Sequence, residues 1–253
     1  MINQQTLIIG ANSDIAKAIA KQVQLSPNTG LILVSRDLSD DSPPQKSIAN
    51  SKLPNNNVTK ITVKDYQANT IEKTVLQIAQ EIHVPITQVF ICNGLLHNNS
   101  VQPEKRLQEF SSSAFQQVMM VNAIIPMLWI QHLTPILVGS METKIIVFSA
   151  RVGSISDNRL GGWYSYRASK SALNMLLKTT AIELARCGKN IKIIAFHPGT
   201  TDTSLSKPFQ KNVPSDKLFS CEFVAKQILQ IAEETDVDGQ ASYLDWQGKP
   251  INW

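Results

Sequence analysis

The sequence predicts an α/β fold: a single doubly wound parallel sheet with helices on both faces, spanning residues 1–253. Three observations predict it. Six short, β-rich apolar runs recur: TLIIG (6–10), LILVS (31–35), ITV (61–63), QVFIC (88–92), KIIVFS (144–149) and IKIIAF (191–196). Between them lie longer segments of helical periodicity. The runs are apolar at successive positions, so both faces of the sheet must be covered.

The first run enters a turn, Gly10-Ala11-Asn12-Ser13-Asp14-Ile15-Ala16, followed by KAIAKQVQL with an apolar helical face. Such a turn aims backbone N–H groups and the positive end of a helix at whatever sits above it, usually a pyrophosphate. Only Gly10 remains of a three-glycine pattern, and an ordinary βα turn with Asp14 as N-cap reads the same way. Asp14 puts a carboxylate near an anion site, so its side chain must point away or cap the helix.

The second run ends in Val34-Ser35-Arg36-Asp37, where a dinucleotide fold meets the adenosine ribose. An acidic residue there favours a free 2′-hydroxyl. Arg36 offers a permanently charged planar donor set to a 2′-phosphate, which points to NADP(H) over NAD(H), although Asp37 can compete for the ribose and a solvated Arg36–Asp37 pair reads the same way. Residues 38–57, rich in Ser, Pro, Asn and Asp, read as a long surface loop with room for a short helix.

After the fifth run comes SARVGS, then GGWYSYRASK running into the helix SALNMLLKTTAIELA. Tyr166 and Lys170 are four apart and share a face once the helix has begun. The spacing alone is weak: four tyrosines and 18 lysines in 253 residues put roughly 0.3 such pairs down to chance. Its setting gives it weight, because it follows a strand ending in serine and a glycine-turned βα unit.

With these residues the chain resembles the short-chain dehydrogenase/reductase family, of Rossmann-like fold, over nearly its whole length. The run SARVGSISDNRLGGWYSYRASKSALNM and the ending LDWQGKPINW are most similar to its C-factor-like and sniffer-like carbonyl reductase branch. The resemblance implies cofactor contacts from Gly10, Asn12, Ser13, Asp14 and Ile15. It also implies an adenine contact from Asp65, and further cofactor contacts from Asn93 and Gly94, Pro198 and Gly199, and Thr203. It makes Tyr166 the proton donor, has Lys170 hold the nicotinamide ribose, and gives Asn122 support of a bound water. The family's catalytic serine falls on Ala150, leaving Ser149, Ser154 or neither to replace it, with Ser149 expected to orient the substrate carbonyl.

The implied reaction interconverts a small-molecule carbonyl and an alcohol by hydride transfer. An ammonium about 5 Å from a phenol, at an effective dielectric of about 20, favours the phenolate by roughly 3 kcal/mol, so Lys170 is expected to acidify Tyr166. The rival expectation is a regulatory protein that binds the cofactor without turnover.

A formal charge of +4, with basic residues scattered, gives no indication of nucleic-acid binding. No run approaches about 18 uninterrupted apolar residues, so no membrane span is expected. Cys92, Cys187 and Cys221 are far apart and lack ligand spacing, which predicts reduced thiols, a cytoplasmic location and no metal. His197 reads as a pocket-wall or structural residue, and Trp129 as core or subunit interface. By resemblance, the helices of the Asn122 and Tyr166 segments pair between subunits, giving a homodimer or homotetramer.

Overall fold

In the computed structural model, residues 1–38, 57–139 and 141–253 are described. Apart from its two end residues, the loop expected at 38–57 lies outside them. Seven parallel strands form the central sheet: β1 (Gln4–Ile9), β2 (Thr29–Ser35), β3 (Val58–Thr62), β4 (Ile86–Ile91), β5 (Thr143–Phe148), β6 (Ile191–His197) and β9 (Ala241–Asp245), in the order β3-β2-β1-β4-β5-β6-β9. Two two-residue strands, β7 (Thr200–Thr201) and β8 (Leu218–Phe219), pair beside it.

The six expected runs all form strands, and β9 is a seventh that they do not include. Its sequence ASYLD alternates buried and half-buried positions, the pattern of a sheet edge.

The apolar runs are explained by coverage on both faces. Along β1, Leu7 and Ile9 enter a layer with Trp129, Leu133, Leu173 and Leu177, from helices α4 (Ile125–Leu137) and α5 (Tyr164–Arg186). Ile8 enters the opposite layer with Ile19 and Ile228, from α1 (Asp14–Val23) and α6 (Cys221–Glu234). All three β1 residues are fully buried. Burying a side chain of this size contributes roughly 1.5–3 kcal/mol before chain entropy is subtracted.

The chain leaves β1 toward β2 and β3, then crosses to β4 on the other side. The reversal opens a crevice at the carboxyl ends of β1 and β4, where ligands of open α/β sheets bind.

One continuous helix, Ser112–Leu137, is long and apolar enough to cross a membrane. Its composition has a source inside the fold, because Trp129, Ile130 and Leu133 are buried against the sheet. It comprises α3 (Ser112–Met119), a wide π-helical turn over Met120–Ile124, and α4. Single π turns inside α-helices are frequent at functional sites, and Asn122 lies in this one.

Candidate active site

The first turn passes so close to β4 that glycine is required. Gly10 has φ +74, and a Cβ there would lie 3.2 Å from the Asn93 nitrogen and the Cys92 carbonyl carbon. Ser13, not Asp14, holds the N-cap position of α1, and its side chain makes no cap hydrogen bond. Asp14 instead reaches across the cleft: its carboxylate accepts from the Ser204 backbone N–H at 2.8 Å and from the Ser204 hydroxyl at 3.1 Å. Asp14 therefore does not cap the helix and instead ties α1 to the loop after β7.

That cleft gathers Ser13, Asp14, Ile15, Asn93, Gly94, Tyr166, Lys170, Pro198 and Thr203 from among the expected cofactor residues. Gly10, Asn12 and Gly199 are not in its lining. The Asn93 Oδ1 is buried without a partner, an acceptor awaiting a donor. Arg36 and Asp65 are not in the lining. Arg36 is exposed at the end of β2, its guanidinium 5.5 Å from the centroid of the Tyr66 ring. Asp65 accepts from the Gln67 backbone N–H at 3.0 Å, and hydrogen bonds from the Thr70 side chain and from Gln67 hold its carboxyl below the usual range.

Tyr166 sits in the first turn of α5, whose start is built by an unusual entry. Gly161, Gly162 and Trp163 all have positive φ, the last at 53°, a conformation that large residues adopt only when their surroundings enforce it. Glu104 enforces it. Its backbone oxygen accepts from the Trp163 N–H, and its carboxylate accepts from the Ser165 N–H at 3.2 Å and from the Ser165 hydroxyl. A buried carboxylate thereby caps the helix, where the dipole favours negative charge.

Lys170 is buried one turn on. Its Nζ donates to the Phe148 oxygen at 2.8 Å and lies 5.7 Å from the centroid of the Tyr166 ring. Burial pushes Lys170 down to about 7 and, with Tyr243 adding to it, pushes the Tyr166 phenol well above its usual range. The expected acidification of Tyr166 is thus reversed, because desolvation penalises both charged forms and the ammonium is directed at a carbonyl. Burial likewise lowers His197 to about 4, leaving it neutral in the wall of a second cleft.

The Asn122 side chain is fully used: Oδ1 accepts from the Leu95 N–H at 2.7 Å, and Nδ2 donates to the Leu95 oxygen at 2.8 Å and to the Ser169 hydroxyl at 3.0 Å. It ties the loop after β4 to α5. Ser149 lies one residue past β5, although its N–H still donates to the Phe196 oxygen at 2.8 Å. Ser154 is buried against Ser156 and Asp157 and lines neither cleft.

The second cleft has Leu96, Val152, Trp163, Phe209 and Val213 among its walls. The Trp163 and Phe209 rings meet edge to face at 5.1 Å. Its charged residue, Arg151, is bridged to Asp157 at 3.0 Å and to Asp245 at 3.4 Å. Ile15, Ser149, Tyr166, Pro198, Thr203 and Leu205 line both clefts, so Tyr166 and Ser149 stand where the two join. Sequence reasoning missed Glu104, Trp163 and Phe209, which come from separate segments and form no local motif. Among the described residues, no three His, Cys, Asp or Glu side chains converge to hold a metal ion.

Benzil reductase ((S)-benzoin forming) of Bacillus cereus is 24% identical over 245 residues, covering 90% of this chain and 93% of that protein. Among solved structures, carbonyl reductase Sniffer of D. melanogaster superposes with a TM-score of 0.79 at 19% identity, covering 100% of both chains. The NADPH-bound carbonyl reductase from chicken fatty liver gives 0.79 at 20%, covering 100% of this chain and 96% of that one. At such identities the structures establish the shared fold. The sequence pattern described as short chain dehydrogenase matches residues 4–214, which take in the strands from β1 to β6 and the whole Tyr166–Lys170 helix. The chain therefore belongs to the short chain dehydrogenase family and is an NAD(P)-dependent oxidoreductase.

Proposed function

We propose that the protein, as one domain over residues 1–253, is an NADP(H)-preferring reductase of uncharged, largely apolar carbonyl compounds. The observation that carries this is the position of Tyr166 at the junction of the two clefts. The first cleft fits a dinucleotide: the α1 amino end over Ser13–Ile15 suits a pyrophosphate, and the buried Asn93 Oδ1 needs a donor. Arg36 would hold a 2′-phosphate and Asp65 the adenine. Gly94, Pro198, Gly199 and Thr203 would border the nicotinamide end, with Lys170 at its ribose.

When bound, the nicotinamide supplies hydride to the carbonyl carbon. Tyr166 delivers its phenolic proton to the oxygen, and the raised phenol keeps that proton at neutral pH, which suits reduction. Lys170, near its own titration point, can pass a replacement proton. Ser149 orients the carbonyl from the same junction. The Asn122 side chain holds the cleft walls together, so any support of a water near Lys170 falls to its main chain.

The aromatic walls and the engaged Arg151 favour an uncharged substrate, and the benzil reductase relative supports an aromatic one. The unpaired thiols of Cys92, Cys187 and Cys221 support a cytoplasmic location. A second copy of the chain is the proposed partner, seated on the exposed apolar residues of the α4 and α5 face. The second reading, a cofactor-binding regulator, is favoured by Ala150 at the family's serine position.

Turnover of benzil with NADPH decides between them. Tyr166→Phe should retain NADPH binding and lose turnover about 10²-fold or more. Normal turnover by this variant would refute the proton-donor role, and NADPH binding by the wild type without turnover of any carbonyl would favour the regulator.

A further inference from the structure

The Ser149 hydroxyl is engaged in the wrong sense for its proposed task. It lies 2.6 Å from the Oδ1 of Asn174, on the buried face of α5. An amide oxygen only accepts, so the one proton of Ser149 is directed at Asn174 and only its lone pairs remain for the junction of the clefts. A carbonyl oxygen gaining negative charge needs a donor.

Meanwhile the Asn174 Nδ2, with two protons, is buried and meets no acceptor in hydrogen-bond geometry, the Tyr243 hydroxyl standing beside both it and Ser149. Each end of this amide is thus badly placed for one of its neighbours. The surroundings leave little freedom to move away. A Cβ on Gly153 would lie 3.1 Å from Asn174 Nδ2, and the Tyr243 hydroxyl, donating to the Ala150 oxygen at 2.6 Å, pins the backbone just after Ser149.

Rotation of the amide by half a turn about Cβ–Cγ exchanges oxygen and nitrogen in nearly the same space. Nδ2 then donates to Ser149, Ser149 accepts, and the serine proton is released toward the substrate oxygen. We propose that Asn174 is the positioning residue that sets whether Ser149 can donate to the substrate, with Tyr243 holding the adjoining backbone in place. This rests on the reading of Ser149 as the residue that orients the carbonyl. No bond is made or broken; only the direction of two hydrogen bonds changes.

The test compares Ser149→Ala, Asn174→Asp and Asn174→Ala with benzil and NADPH, with NADPH affinity and melting temperature measured for each. Asp at position 174 only accepts and keeps the serine proton, whereas Ala releases it. Asn174→Asp should therefore lose kcat about as far as Ser149→Ala, roughly 10²-fold, with NADPH affinity unchanged. Asn174→Ala should lose less, near tenfold. A packing role gives the opposite ranking, since Asp matches the shape of Asn and Ala leaves a void.

Asp equal to or better than Ala overturns the proposal while leaving Ser149 in its role. If Ser149→Ala keeps full kcat, the Ser149 reading fails first and the proposal with it. Should Asn174→Asp fail to bind NADPH, the double variant Ser149→Ala/Asn174→Ala decides. A kcat equal to that of Ser149→Ala and below that of Asn174→Ala supports the proposal, and additive losses overturn it.

Discussion

Burial governs the residues of greatest chemical interest. Lys170, buried and lowered to about 7 from an ordinary 10.5, releases its proton in the folded chain while the unfolded chain still binds one. Between those values the unfolded state carries more protons, so this residue makes stability rise with pH. The melting temperature of the wild type relative to Lys170→Met should therefore climb across that window, and a flat difference would show that Lys170 titrates normally. Arg36 makes its own prediction. A charge-assisted contact to a 2′-phosphate is worth about 1.5–3 kcal/mol, so Arg36→Ala should weaken NADPH by roughly tenfold or more and leave NADH little changed. Equal losses for both cofactors would place the 2′-phosphate elsewhere.

At the scale of elements, the helix that carries Tyr166 depends on a residue far away in sequence. Glu104 caps α5 through Ser165 and fixes Trp163 in its left-handed conformation, with the Trp163 ring against Tyr166 at 6.1 Å and Phe209 at 5.1 Å. Loss of the carboxylate leaves a helix start without its partner and loosens the wall of the second cleft. Glu104→Ala should cost about 1–3 kcal/mol in urea unfolding and also lower kcat, because Tyr166 lies one turn from the cap. Glu104→Gln keeps an acceptor and should lose less of both. Loss of kcat without loss of stability would mean that Glu104 serves the cleft and not the helix.

For the whole molecule, α4 and α5 place their buried sides in one continuous core and leave an apolar outer face. Met120, Ile124, Met175 and Leu176 are 46%, 41%, 65% and 38% exposed, and Ile124, Met127, Leu128 and Leu176 line a groove on that face. The proposed subunit contact rests on these exposed apolar residues, since large exposed apolar patches mark interaction sites. With a second copy seated there, Leu176→Glu should shift the protein toward monomers in sedimentation and leave the monomer folded. An unchanged sedimentation profile would remove this face from the subunit contact.

By itself, the sequence determined the layered α/β architecture, because runs apolar at every position can be satisfied only by a sheet covered on both faces. It also determined the Gly10 turn, the Arg36 strand end and the Tyr166–Lys170 pair, whose meaning lies in spacing of a few residues. It left β9 unseen, since a half-buried edge strand is weakly patterned. The tertiary structure alone decided the rest. Asp14 binds Ser204, 190 positions away, and Glu104 caps a helix 61 positions on. Ser149 directs its proton at Asn174, and burial disfavours the charged forms of both Tyr166 and Lys170. These depend on which groups share a desolvated volume, and desolvation is set by neighbours from distant segments that no local pattern encodes.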